Sequence, residues 1–250
     1  MIPPSDDLET HPDRGPEFRT THWSVVLAVG DGESPEANQA LESLCRTYWY
    51  PLYAFIRRGG KTPADAEDLT QTFLARMLAK RYLGLADPAR GRFRTFLLCA
   101  LKRFLADEWD KSRAAKRGGG AIPLSLDELE PEARYALEPS DTRSAEAIYD
   151  HQWGQSVLDH VLARLRTEFE TEGKSDLFET LKTYLVGDKG DLSIAQASAR
   201  LHLSEAAVKS SIHRLRSRYR EMVRIVVGET VQDPGDIDRE IRELLAALAR

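Results

Sequence analysis

From Phe93 to Trp109, the apolar residues Phe93, Phe96, Leu97, Ala100, Leu101, Phe104, Leu105 and Trp109 return every three or four positions. That spacing gathers them on one stripe of a helix and on no single face of a strand. Comparable stripes recur at Leu69, Phe73, Leu74, Met77 and Leu78, at Trp153, Val157, Val161, Leu165 and Phe169, and at Val208, Ile212, Leu215, Tyr219, Val223 and Val226. No stretch alternates with period two for long, so the chain is expected to be all-α. Its apolar fraction of 42% is enough to bury a core.

The breaks between stripes suggest two small helical domains joined by an acidic linker. Gly59-Gly60 stops a helix carrying the aromatic run Tyr48 to Phe55. Thr62-Pro63-Ala64-Asp65 then starts another, with a capping hydroxyl, a proline suited to the first helical position and an acid for a capping box. Gly118-Gly119-Gly120 closes the first domain. The expected division is a disordered acidic tail over 1–19, a first domain over 20–118, a linker over 119–144, a second domain over 145–227 and a C-terminal extension over 228–250.

Charge follows the same division. The net charge of −5 argues against a simple nucleic-acid binder. Residues 90–117, however, hold nine Arg and Lys against three acids, and residues 200–224 hold seven against two. Between them, residues 127–150 carry eight acids and two arginines. Two basic blocks joined by an acidic connector are the main feature of the charge pattern.

Several function classes are disfavoured. No run approaches the ~20 apolar residues of a membrane span. The first residues are acidic and proline-bearing, unlike a signal peptide. Cys45 and Cys99 form no C-x-x-C pair and read as small apolar residues of a reducing cytoplasm. No Cys/His cluster suggests a metal, and no carboxylate or histidine set suggests catalysis, so neither cofactor nor enzyme activity is expected. Glu67 and Asp68 point in different directions on a helix and make a poor catalytic pair.

Ser193-Ile194-Ala195-Gln196 has the form of a capping box opening a short helix. His202-Leu203-Ser204 follows as a tight turn, with Leu203 placed to plug the core and Ser204 to cap a long second helix. The free face of that helix is expected to carry Lys209, Ser210, His213, Arg214 and Arg218. Apolar residues behind and Ser, Lys and Arg in front form a helix-turn-helix suited to a major groove. By itself this motif indicates only DNA binding.

Two further segments narrow the reading. Asp65-Ala66-Glu67-Asp68-Leu69-Thr70-Gln71-Thr72-Phe73-Leu74 resembles region 2 of extracytoplasmic-function sigma factors. Phe93-Arg94-Thr95-Phe96-Leu97-Leu98 with Leu101 to Arg117 resembles the part of that region that captures a melted −10 element. Ala207-Val208-Lys209-Ser210 resembles the T-V-K-S of region 4. The three lie in the family's order, and the C-terminal extension is similar to that of the subgroup common in planctomycetes and their relatives. Two positions depart from the pattern. Lys102-Arg103 stands where Arg-Asn is frequent, with the shared acid kept at Asp107, and His202 replaces a turn glycine.

The resemblance implies a cytoplasmic subunit that binds core RNA polymerase and promoter DNA, with an anti-sigma factor or other regulatory protein as a possible further partner. Asp65, Glu67, Asp68, Gln71 and Thr72 would dock on the polymerase clamp. Arg94, Lys102, Arg103, Lys111, Arg113, Lys116 and Arg117 would hold the −10 strand. Ser204, Lys209, Ser210, His213, Arg214, Arg216 and Arg218 would read the −35 duplex. Linker acids such as Asp127, Glu128, Glu130 and Glu132 would thread toward the polymerase channel. The rival reading is a conventional helix-turn-helix regulator, which needs no basic, aromatic strand-holding domain.

The extension adds a separate question. Ile237, Ile241, Leu244, Leu245 and Leu248 form one stripe of a helix too short to persist alone in water. It must pack somewhere, either as an extra structural helix on the second domain or as a cover over a DNA-reading or polymerase-docking surface.

Overall fold

The aromatic run Tyr48 to Phe55 puts rings on every side of one helix, and such a helix has to be central. In the computed structural model it is. The structure describes residues 35–78, 92–114, 131–136, 143–185, 192–231 and 233–249. Among them it contains helices and turns and no strand. Helix α1 (Pro35–Arg58) is followed by α2 (Pro63–Leu78), α3 (Phe93–Ala114), the short α4 (Pro131–Ala136) and the long α5 (Ala145–Thr171). Then come α6 (Ser175–Leu181), α7 (Ile194–Leu201), α8 (Glu205–Gly228) and α9 (Ile237–Leu248).

Tyr48, Tyr50, Leu52, Tyr53 and Ile56 of α1 are all buried. Tyr48 meets Phe93 of α3 edge-on at 5.4 Å, and Phe55 meets Tyr149 of α5 at 6.5 Å. Gly60, at φ 85°, takes the left-handed conformation that ends α1 and that a side chain would strain. Thr62 Oγ1 then accepts the Asp65 amide at 3.2 Å, capping α2 as its sequence suggests.

Helix α5 is the spine. At about 1.5 Å per residue it is long enough to serve both halves of the chain. Its N-terminal part packs along α1, and its C-terminal part packs on α8. Trp153, Val157, Val161 and Leu165 are fully buried, and the two halves share one continuous hydrophobic core. The segment expected as free linker is partly folded onto this core. Glu132 of α4 accepts from Arg57 at 2.9 and 2.6 Å and from the Tyr53 hydroxyl at 2.6 Å. Asp127, Glu128 and Glu130 lie outside the described residues.

Helix α9 packs on α5 and α8. Two glycines shape its seat: a Cβ on Gly154 would lie 3.1 Å from Leu248, and one on Gly228 would lie 3.3 Å from Ile237. The expected stripe is corrected at two positions. Leu245 is 58% exposed, and Glu240, read as a helix-start acid, is 2% exposed.

Carboxylates tie the helices together. Hydrogen bonds from Arg57, Lys102 and Arg218 hold Glu132, Glu146 and Glu168 below the ordinary carboxylate value of about 4.5. A lowered folded-state pKa means that each contribution is complete above about pH 4.5 and is lost as the pH falls through the lowered value. Urea midpoints should therefore be flat near neutrality and fall across the acid window that opens below about pH 4.5. A midpoint unchanged across that window would contradict these links.

Candidate nucleic-acid interface

The clearest exposed basic surface is built by α7 and α8. Ser193 Oγ accepts the Gln196 amide at 3.2 Å, and Gln196 Oε1 accepts the Ser193 amide at 2.8 Å, closing the reciprocal box that opens α7. His202 then adopts φ 55°, ψ 37° and turns the chain. This is the left-handed position that a glycine would fill without strain. The Leu203 amide donates to Ser198 O at 3.1 Å, and Ser204 Oγ accepts the Ala207 amide at 3.2 Å to start α8. Leu203 itself is 38% exposed and does not plug the core as expected.

Val208, Ile212, Leu215, Val223 and Val226 anchor the back of α8. On the front, Ala206, Lys209, Ser210, His213, Arg214 and Ser217 are exposed. Their spacing of three or four residues makes one continuous strip. No acid falls between Ala206 and Arg220.

Three of the expected reading residues are not on that strip: Ser204 is the exposed N-cap that precedes it, and Arg216 and Arg218 are held elsewhere. Arg216 is half-buried and donates through Nε to Tyr184 O at 2.9 Å. Arg218 forks onto Glu168 through two 2.7 Å bonds and also pairs with Glu221. Both guanidiniums fix α8 to its scaffold. The helix wheel alone puts them near the surface, but Tyr184 and Glu168, which hold them, lie on other elements.

The basic residues of α3 are more dispersed. Arg103 is exposed. Lys102 is exposed and paired with Glu146 at 2.7 Å, and Lys111 is exposed and paired with Glu108 at 3.1 Å. Arg113 belongs to α3, although its side chain is not among those described, and Lys116 and Arg117 lie outside the described residues. Arg94, expected to face DNA, is buried. Its Nε donates to Glu240 at 2.8 Å, its other nitrogens pair with Asp150 and Glu243, and its guanidinium stacks 4.5 Å from the Trp153 ring centre. Burial disfavours this charge, yet Glu240 and Asp150 more than offset it and raise the Arg94 pKa.

Trp109 supplies what the sequence reading missed. It was expected on the buried stripe, yet it is 56% exposed, with Lys61 Nζ 5.3 Å from its ring centre. It lies seven residues from Lys102, nearly two helical turns along the same face. A step of four residues advances ~40° around a helix, so Leu101, Leu105 and Trp109 walk progressively out of the core. An exposed indole beside cations is a surface on which an unpaired base can stack.

On α2, Asp65, Glu67 and Asp68 are exposed, and Gln71 and Thr72 are half-buried beside them. Thr70 is buried and bonds back to Ala66 O at 2.7 Å, so the inner face of α2 is satisfied within the helix. The three exposed acids fall within four residues, about one turn at the start of α2. Among the described residues no group of His, Cys, Asp and Glu is arranged to hold a metal, and no helix is long and apolar enough to cross a membrane. A search of protein-family models, curated proteins and solved structures finds no match to this chain.

Proposed function

We propose that this chain is a sigma factor: it binds core RNA polymerase and directs promoter-specific initiation by reading −35 and −10 elements. The observation that carries the DNA-reading part of this proposal is the acid-free strip Lys209, Ser210, His213 and Arg214 on α8, held by an apolar back and by the pinned Arg216 and Arg218, and the sigma assignment itself rests on the resemblance of α2, α3 and α8 to the family's motifs. Rigid support of that kind suits base-edge contacts, which need side chains held to a fixed register. The first domain adds the exposed Trp109 with Lys61, Lys102, Arg103 and Lys111, which suits stacking and phosphate contacts on an opened strand. The acidic outer face of α2 is the polymerase-docking surface. Within this reading the helix–turn–helix of α7 and α8 belongs to a second domain that separates from the first on the polymerase.

A net-negative chain with two small basic surfaces should bind DNA weakly by itself, because non-specific affinity comes from phosphate neutralisation. Holding both surfaces on one polymerase makes the second contact intramolecular, with gains of ~10²–10⁴. The test is association with bacterial core polymerase. The wild-type chain should form a stable complex, and Asp65→Ala/Glu67→Ala/Asp68→Ala should weaken it at least ~10-fold, since several charge contacts are lost together. Tight promoter-duplex binding without polymerase, and no complex with core, would indicate a conventional regulator instead.

A further inference from the structure

The buried ionic cluster between α3 and α9 is not used by the surfaces above. We infer that α9 is a displaceable plug whose Glu240 and Glu243 occupy the site at which Arg92 and Arg94 bind the phosphates of single-stranded DNA. The inference rests on the sigma-factor reading for its ligand and on geometry for the rest.

Glu240 lies between two guanidiniums: Oε1 accepts from Arg94 Nε at 2.8 Å, and the buried Oε2 is 2.8 Å from Arg92 Nε, an ion pair without hydrogen-bond geometry. Glu243 pairs with the same two arginines. Two acids one turn apart on a helix thus fill a double arginine fork, as the unesterified oxygens of a phosphate would. Glu240 is also misplaced for a purely structural helix. It sits 2% exposed on the face that carries Ile237, Ile241, Leu244 and Ala247. Replacing the whole Glu–Arg cluster by well-packed apolar residues would cost little or would stabilise the fold, because desolvation of the charges offsets most of their pairing energy, so stability alone does not call for these charges here.

The arginines do not depend on α9 alone. Arg94 keeps Asp150 and the Trp153 ring, both on α5, when α9 leaves. Helix α9 does depend on its seat: twelve residues are too few to remain helical in water, so release means unfolding of the helix. Its seat is defined by the notches at Gly154 and Gly228. Displacement therefore exchanges the Glu240 and Glu243 carboxylates on Arg92 and Arg94 for phosphate oxygens, while Asp150 stays on Arg94 and the apolar face of α9, Leu244 included, leaves the core.

The experiment uses the full chain and a fluorescein-labelled thymidine 12-mer at low salt, read by anisotropy. Glu240→Gln/Glu243→Gln removes the charge plug, and Gly154→Leu displaces the helix by crowding while leaving every charge in place. Each should tighten oligonucleotide binding about 10-fold or more, the factor by which a mostly closed state suppresses apparent affinity. Adding Arg92→Ala/Arg94→Ala to the glutamine pair should abolish the gain, and a matched duplex should gain less than the single strand. Unchanged affinity in both plug variants, a gain that survives loss of the arginines, or an equal gain for duplex would each overturn the proposal.

Hydrogen exchange on the wild-type chain guards against variants that fail to fold. At saturating oligonucleotide the α9 amides should lose protection, and full retention of protection would overturn the plug. The two readings separate cleanly. If α9 is released by DNA in a chain that never stimulates polymerase, the plug stands and the sigma reading falls. If the chain stimulates polymerase while α9 stays protected with oligonucleotide bound, the plug falls alone.

Discussion

Trp153→Ala is expected to cost about 3–5 kcal/mol, the range for deleting a large aromatic from a well-packed core. The indole is fully buried, and the Arg94 guanidinium lies 4.5 Å from its ring centre. Its removal opens a cavity at the junction of α1, α3 and α5 and leaves Arg94 without the aromatic face that supports its charge. The location makes the result informative. If α5 joins both halves into one core, the loss should lower the exchange protection of α1 and α3 as well as of α5 and α8, within one cooperative transition. Protection lost from the C-terminal half alone would mean that the halves fold independently even in the free chain.

Arg214→Ala is expected to erase most of the preference for one −35 sequence, since an arginine on base edges discriminates by about 1–3 kcal/mol, roughly 5- to 150-fold. Arg214 is exposed on the acid-free strip, and among the described residues its side chain hydrogen-bonds only to Ser211 of its own helix, at 3.3 Å. The guanidinium can therefore turn outward at little cost. Arg218→Ala, only one turn away, should behave differently. It breaks the two-bond fork onto Glu168, so it should lower thermal stability and leave the ratio of affinities for preferred and scrambled elements nearly unchanged. Competition binding of polymerase complexes to the two promoter types, alongside melting curves, separates these outcomes. Loss of discrimination in Arg218→Ala with intact stability would reverse the assignment.

Local pattern carried the sequence reading a long way and then failed for identifiable reasons. The stripes of α3, α5 and α8, the capped starts at Thr62, Ser193 and Ser204, and the stop at Gly59-Gly60 are local physics, and the structure has them where the residues put them. The misplaced charged residues all depend on partners distant in sequence. Glu240 is buried because Arg92 and Arg94 meet it from α3, and nothing in the period of α9 announces that. Arg216 and Arg218 were expected to face the groove, but Tyr184 O and Glu168 claim them. Glu132 looked like one charge in an acidic tract and is an ion-pair partner of Arg57. Leu245 and Trp109 carried the opposite error. Each sits at the edge of its stripe, where a hydrophobic residue and a buried one stop being the same thing.

The sigma-factor account makes its strongest claim about transcription. Core bacterial RNA polymerase should be incubated with a randomised promoter library, with and without this chain, and the run-off products sequenced. The account predicts transcripts that depend on the chain and come from templates enriched for two short elements at a fixed separation. Of these, the upstream element should lose its enrichment when Arg214 is replaced by alanine. Failure of the chain to stimulate transcription, or stimulation with no enriched upstream element, would contradict it.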